Sequence, residues 1–172
     1  MISKVFIICS VSLVAAVLAA RIAHIRVIST DSSAPVGIYH LVPAPLTRGE
    51  LVLACLPAES ADLALARGYL GAGNCPASAE PVAKIVGALP GDTVQLDRDF
   101  VAVNGARIPN SPTLPRDSMG RPLEHAAWRI YHVPDGEVWL FGFNNPHSWD
   151  ARFIGAIPSA NVLGTLKPLI TW

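Results

Sequence analysis

The stretch Asp31-Ser32-Ser33, the lysine at position 84 and the run Ser148-Trp-Asp150-Ala-Arg152 supply, within 172 residues, the residue types that nucleophilic catalysis needs when no cofactor is used. A serine hydroxyl attacks a carbonyl only when a neighbouring base takes its proton. Lysine can be that base if apolar burial disfavours its charge. Lys84 has suitable surroundings in sequence, with Pro81 and Val82 before it and Ile85 and Val86 after it. Residue types alone also fit plainer roles. A lysine on an edge strand, serines capping a turn, and Asp150 with Arg152 as a solvated pair would read the same way.

Other chemistries are less well supported. The chain has no Walker loop, dinucleotide fingerprint, HExxH or CxxC motif, and its five histidines (His24, His40, His125, His132 and His147) lack ligand spacing. We therefore expect no metal and no cofactor. A Ser-His-Asp triad stays open, because such triads assemble from distant positions. The formal net charge is zero. Without a broad basic surface, nucleic acid is not an expected ligand.

The elements that must position these residues form a mainly β chain behind an apolar segment. Val5 to Ala20 is uncharged, bounded by Lys4 and Arg21. At 1.5 Å per residue it reaches about 24 Å, short for a bilayer core unless Lys4 and Arg21 snorkel. We read residues 1–24 as an uncleaved signal anchor containing a transmembrane helix, and 25–172 as the folded domain. A cleaved signal peptide competes, although no A-x-A site follows the run. Cys9 lies in the run, which leaves Cys55 and Cys75 as a pair. They are expected to form a disulfide, and hence to place the domain in an oxidising compartment; two separate buried thiols are the alternative.

Fifteen prolines and thirteen glycines spread along the chain argue against a helical bundle. Strands are expected at 25–29, 37–42, 50–55, 83–88, 93–97, 100–103, 129–133, 137–141 and 162–167. Asn104-Gly105 between apolar flanks predicts a type I′ hairpin. A single helix is expected from Glu59 to Leu70, inside the excursion between the cysteines. Residues 110–121, with Pro112 and Pro115, read as a polar loop.

Three segments in this order resemble the S26 family of signal peptidases, and its conjugative-transfer branch in particular. Ser33-Ala-Pro-Val-Gly-Ile-Tyr39 resembles the branch's nucleophile segment. Lys84-Ile-Val-Gly-Ala-Leu-Pro-Gly-Asp92 resembles the general-base segment with its Pro-Gly-Asp turn. Gly142 to Gly155 resembles the S-x-D-x-R box. The Cys55 and Cys75 pair around Arg67-Gly-Tyr69 is also similar to the branch.

The resemblance implies an antiparallel β-sheet or barrel domain on the periplasmic side of a bacterial inner membrane. It implies an endopeptidase with Ser33 as nucleophile and Lys84 as base. Ser148 would hold Lys84, and Asp150 with Arg152 would fix the loop. The backbone N–H of Ser33 would serve the oxyanion. Asp31 stands where an auxiliary hydroxyl is usual, so Thr30 and Ser32 are the candidate replacements. Phe143 replaces an acidic residue of the broader box, which favours the transfer branch or another specialised member over a housekeeping one. The implied partners are membrane lipid, an exported propeptide or pilin, and components of a conjugative type IV secretion apparatus. Pilin cyclisation by its own amino terminus is an implied second outcome. The competing functions are a general type I signal peptidase for preproteins and a catalytically silent, disulfide-bonded scaffold at an exporter.

Overall fold

The computed structural model describes residues 24–28 and 34–172. The apolar run Val5–Ala20, with the transmembrane helix expected there, and Thr30, Asp31, Ser32 and Ser33 lie outside the described residues. Among the described residues no helix is long and apolar enough to cross a membrane.

The fold is mainly β and antiparallel. Among the described residues the larger sheet has seven strands, and in chain order they are β1 (Ile25–Ile28), β2 (Gly37–Val42), β3 (Leu51–Ala54), β4 (Val82–Ala88), β9 (Glu137–Phe141), β10 (Ile157–Pro158) and β11 (Val162–Thr171). Spatially they run β1-β2-β11-β3-β4-β9-β10. The smaller sheet contains β5 (Thr93–Leu96), β6 (Val101–Val103), β7 (Ala106–Ile108) and β8 (Arg129–His132), ordered β7-β6-β5-β8. Alternation sets the register: β2 buries Tyr39 and Leu41 while Ile38 and His40 are half-buried. One core cluster joins the two sheets, with Val94, Leu96 and Val101 packed against Trp139 and Phe141. At ~25 cal/mol per Å² of apolar area removed from water, burial of such side chains favours the fold.

The Asn104-Gly105 hairpin forms as the sequence predicts. Both residues have positive φ, 51° and 80°, and β6 pairs with β7 across them. The expected helix is shorter than its pattern suggests. It is α1, Ala58–Ala66. Gly68, at φ +71°, donates its N–H to Leu65 O, and Tyr69 donates to Ala64 O. This left-handed cap ends the helix before the apolar pattern runs out. A second helix was not expected: α2, Ala151–Ile154, has four residues and is N-capped by the Asp150 side chain. The Cys55–Cys75 disulfide is formed, and it closes the excursion that carries α1.

Candidate active site

Lys84 lies on β4, on the same face as Val82 and Val86, at a position where strand alternation calls for an apolar residue. It is paired in register with Val52 of β3 and is only 5% exposed. Burial lowers its pKa from 10.5 to about 8. The nearby Asp150 carboxylate partly opposes this, and the Arg152 guanidinium reinforces it. Lys84 Nζ donates a hydrogen bond to Ser148 Oγ.

The loop that supplies Ser148 follows β9 and is held from several sides. A tight turn closes where Ser148 N–H donates to Asn145 O at 3.0 Å and His147 N–H to Asn145 Oδ1 at 2.9 Å. Asp150 and Arg152 pair through two contacts of 2.9 Å, with their side chains 0% and 2% exposed. This is a buried pair rather than a solvated one. The carboxylate also accepts from Gly142 N–H at 2.8 Å and from Arg152 N–H at 3.1 Å. The guanidinium donates to Ser148 O at 3.2 Å and to Pro112 O at 2.9 Å, so it ties in the proline-rich loop. A buried ion pair is stable only with such a full complement of hydrogen bonds.

Gly142 has a separate structural reason. A Cβ there would lie 2.6 Å from Ser148 Cβ and 3.2 Å from Lys84 Nζ, where the hydrogen-bonded pair already sits. Only glycine leaves room for it.

The other two motif segments are likewise built from local geometry. Tyr39, buried on β2, donates its hydroxyl to Pro35 O at 2.7 Å and so closes the turn that follows position 33. In the Pro90-Gly91-Asp92 turn, Asp92 accepts from Leu89 N–H at 2.8 Å and from Asn104 Nδ2 at 2.8 Å. Burial alone would raise the Asp92 carboxyl, but these bonds and the Arg48 guanidinium hold it below its ordinary value. The turn after β4 is thereby fastened to the Asn104-Gly105 hairpin.

A groove of about 560 Å³ opens beside Lys84 and Ser148. It follows Pro81 to Lys84 and is bordered on another side by Arg26, Val27 and Ile28. Ala34, next in sequence to Ser33, also lines it. The structure therefore brings Lys84, Ser148, Asp150 and Arg152 together, while the serine and threonine candidates at 30–33 lie outside the described residues. Among the described residues no cluster of histidine, cysteine or carboxylate side chains is arranged to hold a metal. Sequence reasoning names Gly142, Trp149 and Tyr69 only as members of segments that carry a resemblance. Their roles depend on contacts between segments, for which the sequence carried no local signal.

A mainly antiparallel β domain with a buried lysine held by a serine is the setting in which the comparisons with known proteins fall. The family model described as signal peptidase, peptidase S26, matches residues 1–172, and the chain belongs to that family. Within it, the relatives carry names from plasmid and conjugal transfer. A plasmid transfer protein TraF of Escherichia coli is 36% identical over 146 residues, covering 84% of this chain and 82% of its own. A probable conjugal transfer protein TraF of Sinorhizobium fredii is 36% identical over 150 residues, with coverages of 84% and 77%. The conjugal transfer protein TraF of Agrobacterium fabrum is 32% identical over 148 residues, with coverages of 84% and 82%. Among solved structures, a signal peptidase I from Enterococcus faecalis aligns at 21% identity with a TM-score of 0.43, covering 73% of this chain and all of that one.

Proposed function

We propose that the chain is a membrane-anchored serine endopeptidase that processes an exported substrate, with Ser33 as nucleophile and Lys84 as general base. The observation that carries this reading is the buried Lys84, its pKa lowered to about 8, on the wall of a groove that Ala34 also lines. A lysine that served only solubility would have no reason to be placed there.

The reaction needs no cofactor. Neutral Lys84 takes the Ser33 hydroxyl proton as Oγ attacks the scissile carbonyl. The resulting ammonium protonates the leaving amine, and an acyl-enzyme remains. Lys84 then removes a proton from the water that hydrolyses the ester. Ser148 aims the amine, and the Asp150–Arg152 pair keeps Ser148 in place. The Ser33 N–H, helped by Thr30 or Ser32, would stabilise the oxyanion, while the Asp31 carboxylate would oppose it.

The relatives are named for plasmid and conjugal transfer, and from the family resemblance we take the substrate to be a propilin of a conjugative transfer apparatus and residues 1–24 to be an anchor that keeps 25–172 in the periplasm. If the pilin's own amino terminus attacks the acyl-enzyme, the product is a ring. The test is processing of propilin by the full chain in detergent. Ser33→Ala and Lys84→Ala should each abolish release of mature pilin, and mass spectrometry separates the products, because a ring lacks the water that a cleaved linear chain gains. Undiminished processing by either variant would overturn the dyad. Equal cleavage of unrelated preprotein leaders would favour a general signal peptidase.

A further inference from the structure

One wall of the groove is built from side chains that the dyad chemistry does not use. Gly68, Tyr69 and Leu70, on the disulfide-closed excursion, line it together with Ser118 of the proline-rich loop. Tyr69 is half-buried and held from all sides. Its hydroxyl donates to Asp117 Oδ2 at 2.6 Å, its ring lies 5.5 Å from that of Trp149, and the Arg121 guanidinium sits 5.4 Å from its centroid.

Asp117 is 9% exposed and accepts three further bonds, from Arg121 Nε at 2.6 Å, Arg121 N–H at 2.8 Å and Met119 N–H at 2.9 Å. Burial would raise its carboxyl, but the Tyr69 hydroxyl and the Arg121 and Met119 donors outweigh that and hold it well below the ordinary carboxylate value. It therefore stays a charged acceptor at any working pH. The clamp also closes in the other direction: Arg67 Nη1 donates to Pro122 O at 2.7 Å, and Arg121 Nη2 to Arg67 O at 3.0 Å. A loop without regular structure thus commits its buried carboxylate to one aromatic ring on a groove wall. A ring fixed in this way presents a rigid apolar face at little entropic cost on binding.

We infer that Tyr69 is a specificity-determining residue that packs its ring against one side chain of an extended polypeptide in the groove, with Asp117 and Arg121 as its positioning residues. The inference rests on the peptidase reading above. The occupant's chemistry is that of a peptide segment, and Tyr69 limits the size of the side chain accepted at one position.

The experiment uses the full chain in detergent and propilin-derived peptides in which each residue around the cleaved bond is varied among Ala, Leu, Phe and Trp. Wild type should reject bulky side chains at one position. Tyr69→Ala should relax that position alone, raising kcat/KM for the Trp peptide by about tenfold. Tyr69→Phe and Asp117→Ala should each raise KM by about fivefold with kcat unchanged, and the double variant should be no worse than either. Asp117→Asn, which keeps an acceptor, should recover most of the loss. A Tyr69→Ala profile identical to that of an active wild type would overturn this inference alone. So would a uniform fall in kcat for Tyr69→Phe with the disulfide intact. A wild type that cleaves none of the peptides would overturn the peptidase reading and this inference with it.

Discussion

Replacing Lys84 with methionine, which is similar in length and uncharged, should make the protein's stability less dependent on pH. The lysine titrates at about 8 in the folded state against an ordinary value of 10.5. At 1.36 kcal/mol per pH unit, that gap corresponds to roughly 3 kcal/mol by which the fold disfavours the charged amine. Below pH 8 the amine is protonated in both states, and the fold carries the whole penalty. Between pH 8 and 10.5 the unfolded chain keeps the proton while the folded chain has lost it, so stability rises with pH. Integrated from about pH 7 to about pH 9.5, this amounts to a gain of about 2 kcal/mol for wild type relative to Lys84→Met. The absolute difference at one pH also contains the lost bond to Ser148 Oγ, whereas the change with pH does not. Urea unfolding of the full chain in detergent, followed through its four tryptophans, should show the gap between the midpoints shifting by roughly 1 M. A gap that stays constant with pH would refute the claim that Lys84 is buried in apolar surroundings.

Other perturbations separate positioning from stability. Gly142→Ala drives a Cβ into the Ser148–Lys84 pair and should lower kcat by about a hundredfold while the overpacking costs about 1–3 kcal/mol of stability, read by single-turnover processing and thermal unfolding. Asp150→Asn removes one charge of a fully buried pair and should cost about 3–5 kcal/mol in urea unfolding, because Arg152 is left uncompensated. Reducing the Cys55–Cys75 disulfide should cost about 3 kcal/mol, measured by unfolding with and without reductant.

How much of this was legible in the sequence depended on whether the deciding physics was local. The Asn104-Gly105 turn could be read directly, because a two-residue hairpin needs positive φ at both positions and those residues tolerate it. Strand positions could be read from short apolar runs between turn residues, and Cys55 with Cys75 from simple parity. The end of α1 was misjudged because Leu70 continues the apolar period, while the Gly68 cap had already turned the chain. β10 and α2, with two and four residues, are too short to show a period at all.

The site was legible as a set of residue types, but its mechanics were not. Nothing near Asp150 and Arg152 in sequence says that they will be buried, because partners that satisfy them there include the backbones of Gly142 and Pro112. The loop at 110–121 reads correctly as irregular, yet Asp117 reads there only as a polar loop residue, since its partner Tyr69 is 48 residues away. Burial of a polar group is a property of the assembled fold, and it is there that Lys84 acquires its lowered pKa.

The central claim is that Lys84 acts as the base, and the pH dependence of kcat/KM for propilin processing tests it most directly. With full-length protein in detergent, log kcat/KM should rise with unit slope on the acid side and level off above a midpoint near 8, as the amine loses its proton. A profile that is flat from about pH 6 to about pH 9, or one whose midpoint falls in the histidine range, would contradict it.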